Sequence, residues 1–531
     1  MPEAELALPA LVARHAGERP DEPFVVTAEN GLTWTYAQAH SDAERWADAL
    51  AAARLGPGDT VLTMLPPGTD AVAAWIGAAR LRVLEVPVNT GYMGRTLRYV
   101  VEDSGATVMV AHADHLPALR PAVDGLAEPG TVVVVGASGE LEPWPARRLV
   151  RAEDFLTASC GATEHTDEPR PRDIAAIIYT SGTTGPSKGV LVTWRQMELT
   201  ASAIMPEGLF DASDAFYSPF PMFHVSGKGP LHAAARLGGR VIMRSRFDTA
   251  AFWADVREFG ASTTILLGAM ANFLRRQPAQ ADDGGSPMRD ALMLPLVDDV
   301  AGFEKRFGLR VRTAFNMTET ACCIVSDGYE LANETSCGRI REGFQARVVD
   351  ADDAEVAPGE LGELILRGDE PWTLMAGYWA KPEATVEAWR NQWLHTGDGF
   401  TRDADGNFYF VDRIKDAIRR RGENVSSFEV EIEIDSHPDV LESAAVAVAS
   451  EFGEDEIKAV VVPLPGRSLD PSDLHAYLAD RMPRFMVPRY IEIADSLPKT
   501  PTQKIRKVEL RAAGVGPATW DGRPDRKRPE G

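Results

Sequence analysis

A chain of 531 residues, 44% hydrophobic and 25% charged, is too long for one ordinary core and implies roughly two to four domains or subdomains. Its formal net charge of −23 excludes a large sequence-independent grip on nucleic acid, which needs a basic face. A phosphate-bearing ligand must therefore be met by local donors. The cysteines are Cys160, Cys322, Cys323 and Cys337, and the adjacent pair fits neither a regular disulfide framework nor a CxxC metal site, so a reducing cytoplasm is the expected home. Met1-Pro2-Glu3-Ala4-Glu5 is acidic where a secretory signal is basic, and no apolar run of about 18 residues occurs. A soluble protein with no membrane span is expected.

In chain order, apolar β-branched runs at 61–65, 107–110 and 132–135 alternate with Ala- and Arg-rich, helix-compatible segments, the pattern of a layered αβ sheet. Strands are expected at 240–243 and 263–267. Between them a helix is expected over 248–259, with Asp248 capping, Phe252, Val256 and Phe259 on one face, and Gly260 as the stop. From about 345 to 410 short strand-like runs are broken by turn residues, which predicts a small β-rich subdomain within about 340–413. A domain boundary is expected near Lys415. Beyond it, strands at 444–449 and 457–462 precede a helix capped by Asp470 with Pro471 in its first turn. The predicted fold class is α/β: a large N-terminal domain (1–413) of layered αβ sheets plus the β-rich subdomain, then a smaller α+β C-terminal domain (416–511) and a polar tail (512–531).

The strongest local signal is Ile178-Tyr179-Thr180-Ser181-Gly182-Thr183-Thr184-Gly185-Pro186-Ser187-Lys188-Gly189-Val190, a strand entering a Gly/Ser/Thr-rich loop and leaving as another strand. Such a loop offers backbone N–H groups, hydroxyls and one lysine to phosphate oxygens. It is not a Walker A loop, because Lys188 is followed by Gly189 instead of Ser or Thr.

Four further segments follow in order: Phe315-Asn316-Met317-Thr318-Glu319, His395-Thr396-Gly397-Asp398, Asp412-Arg413-Ile414-Lys415, and Pro498-Lys499-Thr500-Pro501-Thr502-Gln503-Lys504. Together with the loop they resemble the adenylate-forming superfamily of acyl-CoA synthetases, aryl ligases, luciferases and peptide-synthetase adenylation domains. The stretch Arg484-Phe485-Met486-Val487-Pro488-Arg489 and the C-terminal motif are similar to the carnitine/crotonobetaine CoA-ligase branch.

The resemblance implies ATP as substrate, AMP as product, Mg²⁺, and CoA as co-substrate. It gives phosphate-binding roles to Thr180, Ser181, Gly182, Thr183, Thr184 and Lys188, a place against adenine to Phe315, a cofactor-binding position to Asn316, the ribose hydroxyls to Asp398, and a cationic donor near the nucleotide to Arg413. Glu319 is the implied Mg²⁺ ligand, as a hard cation bridging phosphates prefers carboxylate oxygen, and Thr318 the implied donor to the α-phosphate. Lys504 is the implied mobile cation of adenylation. The hinge falls at 414–415, about which the mobile C-terminal domain turns between half-reactions, and Gly422 then admits the pantetheine arm. Alone, Glu319 reads as a solvated helix-start acid, Asp398 as a turn residue and Lys504 as a surface lysine.

For the acid pocket, Phe223-His224-Val225-Ser226-Gly227 matches a segment where the family places a gating residue, and His224 reads equally as a substrate contact or a structural histidine. Arg419-Arg420-Arg421 reads as a contact for CoA phosphates or as a solvated helix end. Three positions depart from the family: Leu292-Met293-Leu294-Pro295 replaces a Gly-Gly-Ala-Pro-like wall, Asn316 replaces a glycine, and Gln503 replaces the glycine before the C-terminal lysine. The expected activity is ligation of a small or medium organic acid to CoA through its adenylate. The alternatives are activation of an oxyacid such as nitrite for attack by an aryl amine, loading of a carrier-protein thiol, and nucleotide binding without turnover.

Overall fold

A computed structural model describes residues 7–145, 147–157, 168–180, 187–297, 299–413, 417–420, 423–450, 455–498, 505 and 507–523. The chain forms two compact units: the larger takes in residues 1–90, 99–179 and 188–412, and the smaller residues 91–98, 180–187 and 413–531.

Three sheets organise the larger unit. A five-stranded parallel sheet runs Leu84–Pro87, Thr60–Met64, Val108–His112, Thr131–Val135 and Arg148–Arg151. Its middle strands are near-continuous Val, Ala and Met because helices cover both faces of a parallel sheet and leave no polar side. A seven-stranded sheet runs Arg310–Arg312, Asp290–Leu294, Thr263–Leu267, Ala215–Ser218, Arg240–Met243, Pro23–Thr27 and Thr33–Thr35, parallel except for its last pair. The third, seven-stranded and antiparallel, runs Ala314–Phe315, Ile324–Val325, Ser336–Ile340, Asn407–Arg413, Leu394–Arg402, Gly362–Gly368 and Phe344–Val349. It reaches back to Ala314, earlier than the turn-rich texture of the sequence indicates, because its first two strands are two residues each, too short for a period-2 signal.

The runs at 61–65, 107–110, 132–135, 240–243 and 263–267 all fall on strands. The helix expected over 248–259 starts at Phe252: Asp248 Oδ1 accepts from the N–H groups of Ala250 and Ala251 and makes a turn ahead of the helix, while Gly260, at φ +67°, ends it.

A continuous apolar core runs between the sheets and the covering helices. Trp75 and Trp194 stack with centroids 5.5 Å apart, and the Trp75 indole N–H donates to the carbonyl of Ala175 at 2.8 Å. Beneath them the fully buried Lys228 pairs with Glu85 at 2.5 Å, which also accepts from the Thr63 hydroxyl at 2.7 Å. The ammonium lies 3.9 Å from the Trp75 ring centroid. Burial lowers the Lys228 pKa, and the Glu85 carboxylate opposes that shift.

The smaller unit has its own core around Val430, Ile457, Val461, Leu474 and Ile491. Its four-stranded sheet runs Val440–Ala449, Asp455–Pro463, Tyr490–Ile493 and Thr519–Asp521. The helix Pro471–Ala479 is capped by Asp470, which accepts from the N–H groups of Ser472 and Asp473. Arg420 ends the strand Ala417–Arg420 instead of a helix, and it is buried in an ion pair with Glu456 at 2.7 Å. Its guanidinium also donates to the Val487 carbonyl at 2.5 Å, so Arg420 is a structural ion and not a contact for CoA phosphates.

Candidate active site

The entry strand Ile174–Thr180 is buried except at its ends and delivers Thr180 to the loop mouth; the exit strand Lys188–Thr193 pairs with it. Ser181, Gly182, Thr183 and Thr184 lie outside the described residues, as do Gly422, Lys504 and the hinge at 414–415. Arg413 is the last residue of the strand Asn407–Arg413.

A third segment completes the floor. Ala376 N–H donates to Leu191 O, Leu191 N–H to Gly377 O and Trp379 N–H to Gly189 O, at 2.9, 2.9 and 2.7 Å. Gly189 is required there, because a Cβ would stand 2.7 Å from Ile177 and 3.3 Å from Trp379. On the far side, Asp103 gathers both flanks of the loop: the Tyr179 phenol donates to its carboxylate at 2.7 Å, the Trp379 indole N–H to its carbonyl at 3.0 Å, and Lys381 forms an ion pair with it. Burial, together with that acceptor, pushes the Tyr179 phenol far above its ordinary range, so it stays a donor.

At the end of the exit strand Thr193 caps the helix Trp194–Ile204, and the third residue of that helix, the buried Gln196, donates from Nε2 to the carbonyls of Thr318 and Thr320, both at 2.8 Å. This clamps the segment carrying Phe315, Asn316, Thr318 and Glu319. Glu319 is buried at 9% exposure, and its Oε1 accepts from the Tyr378 phenol at 3.1 Å. The ring of Tyr378 carries the Lys188 ammonium 4.7 Å from its centroid. The structure thus brings Lys188 and Glu319 together through Tyr378, a residue that motif reading passes over.

Among the described residues no lysine or arginine pairs with Glu319 and no carboxylate pairs with Lys188. A buried carboxylate without a protein cation suits a divalent metal, which is how the donor set here fits Mg²⁺. Among the described residues no group of three or more His, Cys, Asp and Glu forms a metal cage.

The third sheet supplies the opposite wall. Phe315 and Phe400 meet edge to face with centroids 4.9 Å apart. Asp398, buried, is two residues before Phe400 on the strand Leu394–Arg402, where the pairing with Gly362–Gly368 shifts register. Gly397, at φ +71°, makes the kink before Asp398. Glu363 holds that kink, accepting from Gly397 N–H at 2.9 Å with His395 Nδ1 3.0 Å away. Asn316 Oδ1 is buried with no hydrogen-bond partner among the described residues, an acceptor suited to a ligand N–H.

His224 is the residue before the helix Val225–Leu237, half-buried, its ring 4.7 Å from that of Phe223. A Cβ at Gly227 would meet the Pro221 carbonyl at 2.1 Å, so the glycine lets this helix start fold back on its own loop. Leu292 and Met293 are core residues, whereas Leu294 is half-buried and Pro295 exposed.

The three sheets, the strand pair Ile174–Thr180 and Lys188–Thr193, and the floor of Lys188, Tyr378 and Glu319 match a nucleotide-binding ligase of the AMP-forming kind. Residues 12–379 match the model of the AMP-binding enzyme family and residues 429–504 that of the AMP-binding enzyme C-terminal domain, and the chain belongs to this family. It is 32% identical to the sulfoacetate–CoA ligase of Cupriavidus necator over 515 residues, 96% of this chain and 98% of the relative. It is 29% identical to the crotonobetaine/carnitine–CoA ligase of Salmonella arizonae over 487 residues, 90% and 93% of the two chains. A double mutant of the o-succinylbenzoate CoA synthetase of Bacillus subtilis, bound with its product analogue, superposes with a TM-score of 0.81 at 22% identity, covering 94% of this chain and 98% of that one. That last likeness speaks for the fold. No described helix is long and apolar enough to cross a membrane.

Proposed function

We propose that this protein is an ATP-dependent ligase that converts a small or medium organic acid to its adenylate and passes the acyl group to CoA, releasing AMP and pyrophosphate. The observation that carries this reading is the floor of the site, where Lys188 and Glu319, neither with an ion-pair partner among the described residues, stand beside the loop strands in a chain aligned over 96% of its length with a CoA ligase. The names of those relatives, sulfoacetate–CoA ligase and crotonobetaine/carnitine–CoA ligase, support a small acid and CoA as partners.

In the first half-reaction a carboxylate oxygen attacks the α-phosphorus, an O–P bond forms, and the bond to the β-phosphate oxygen breaks to release pyrophosphate. The nucleophile is already an anion, so the protein has mainly to align it and neutralise charge. Thr180, the loop residues 181–184 and Lys188 bind phosphate oxygens, and Thr318 donates to the α-phosphate. Phe315 and Asn316 hold adenine, and Asp398 accepts from the ribose hydroxyls with Arg413 nearby. Glu319 would hold Mg²⁺, which would supply charge screening at the phosphates. Lys504 supplies a cation to the α-phosphate in this step and is withdrawn for the second, in which the CoA thiol attacks the acyl carbonyl, AMP departs, and Gly422 gives the pantetheine arm room. His224 faces the acyl group. The free thiols Cys322, Cys323 and Cys337 suit the reducing cytoplasm in which we place the reaction.

The test is pyrophosphate release with a panel of carboxylic acids and with nitrite, each with and without CoA or an aryl amine, with products identified by mass. CoA-dependent thioester formation is expected. Nitrite-dependent coupling to the amine, or ATP binding with no turnover anywhere in the panel, overturns it.

A further inference from the structure

Tyr378 joins two groups of opposite charge without letting them meet. Its phenol donates to Glu319 Oε1 at 3.1 Å, and its ring face carries Lys188 Nζ at 4.7 Å. Its own backbone is held on three sides: its N–H donates to the Thr385 hydroxyl at 2.9 Å, its carbonyl accepts from Lys381 N–H at 3.3 Å, and it bridges to Val190 on the exit strand. Gly377 precedes it at φ +145°, where a Cβ would stand 2.8 Å from Thr385. A half-buried tyrosine mounted this firmly has little freedom to follow its neighbours; they must follow it.

We propose that Tyr378 is a positioning residue for adenylation, holding Glu319 as a metal ligand and Lys188 as a phosphate-binding cation while keeping the two from pairing with each other. The proposal rests on the reading of Glu319 and Lys188 given above. A lysine and a glutamate placed this close would otherwise neutralise one another, and the nucleotide would have to break that ion pair before binding. The phenol occupies Oε1 and leaves Oε2 for the metal. The aromatic face attracts the ammonium without offering it a hydrogen-bond acceptor as strong as a carboxylate, so Lys188 stays available to phosphate. Hydrogen bonds that orient a metal ligand are worth about tenfold to a hundredfold in metal affinity or activity.

The test is calorimetric binding of α,β-methylene-ATP at stepped Mg²⁺ concentrations, which needs neither turnover nor knowledge of the acid. Tyr378→Phe keeps the ring and removes the phenol, so the Mg²⁺ concentration for half-maximal binding is expected to rise about tenfold. Analogue affinity at saturating Mg²⁺ should stay within about twofold, because the cation–π contact survives. Tyr378→Leu removes both contacts and should also weaken binding at saturating Mg²⁺ by roughly twofold to fivefold. If Tyr378→Phe melts at the wild-type temperature and shows wild-type Mg²⁺ dependence, the proposal is overturned. Glu319→Ala separates the two ideas: if it also keeps wild-type Mg²⁺ dependence, the reading of Glu319 fails, whereas loss in Glu319→Ala with no change in either Tyr378 variant sinks only the role of Tyr378.

Discussion

Removing the Glu363 carboxylate tests whether the wall carrying Asp398, proposed above to take the ribose, is set from behind. Glu363 Oε1 accepts from Gly397 N–H at 2.9 Å, and Oε2 lies 3.0 Å from His395 Nδ1 and 2.9 Å from an Arg390 nitrogen. A hydrogen bond to a charged acceptor contributes about 1.5–3 kcal/mol. The Gly397 and His395 bonds are enclosed, whereas the Arg390 side chain is 38% exposed and its share falls below about 1 kcal/mol by solvent screening. Glu363→Ala therefore removes roughly 3–6 kcal/mol of local restraint, part of which relaxation of the kink recovers. If about 1–2 kcal/mol reaches Asp398, the Kd for an ATP analogue and the KM for ATP should rise about fivefold to thirtyfold, with kcat much less affected. Glu363→Gln keeps an acceptor for Gly397 N–H and should fall between. Calorimetric Kd and pyrophosphate-release KM are the assays, and a variant that melts several degrees lower yet binds nucleotide within twofold of wild type would reduce Glu363 to a purely structural part.

Three further outcomes are expected. Lys504→Ala should slow adenylation about a hundredfold or more while sparing thioester formation from a supplied acyl-AMP; equal loss of both half-reactions would count against a lysine withdrawn between steps. Burial alone would raise the Asp403 carboxyl, but the Asn407 amide, the Tyr409 phenol and the backbone N–H groups of Asn407 and Asp405 outweigh it and pull the pKa down to about 2. With a folded value below the unfolded value of about 3.9, its stabilisation is complete above about pH 4 and lost as pH falls towards 2, so Asp403→Asn should show a shallower drop in melting temperature over that window. Burial pushes the Cys322 thiol up to about 11 and Cys323 up to about 12, so neither should be alkylated in the native protein at pH 7.5; peptide mass mapping that finds either modified before unfolding contradicts the packing.

What the sequence made legible was local. The strands flanking the Gly/Ser/Thr-rich loop, the Asp470 cap and the Gly260 stop each depend on neighbours within a few positions, and all appear where the pattern put them. The early start assigned to the helix at Phe252 had a local cause too, since an aspartate that makes a turn and one that caps a helix bond the same kind of N–H groups. Misreading Arg420 came from judging a charge by its run; its partner Glu456 is remote in sequence, and burial inverts what a basic cluster usually signifies. The supports of the candidate site were hidden for the same reason. Gln196 reaches Thr318 across 122 positions, Tyr378 reaches Glu319 across 59, and Trp379 reaches Asp103 across 276. None carries a compositional mark, because a tyrosine after glycine or a glutamine in the first turn of a helix is ordinary until the fold shows what it touches.

The pairing of charge is the deeper link between composition and site. A chain with net charge −23 has carboxylates to spare, and its interior uses them: Lys228 sits on Glu85, Arg312 on Asp290, Arg420 on Glu456. An isolated ion in a low-dielectric interior costs several kcal/mol, so pairing is the default for any charge withdrawn from water. Lys188 and Glu319 depart from that default while standing on opposite parts of one tyrosine, the lysine facing no carboxylate and the glutamate no cation among the described residues. Leaving both unpaired makes physical sense only if a ligand brings the missing partners, an anion for the lysine and a cation for the glutamate. A metal-bound phosphate supplies the two together, so the surplus acidity that rules out a general attraction for polyanions also makes a lysine that faces no carboxylate among the described residues informative.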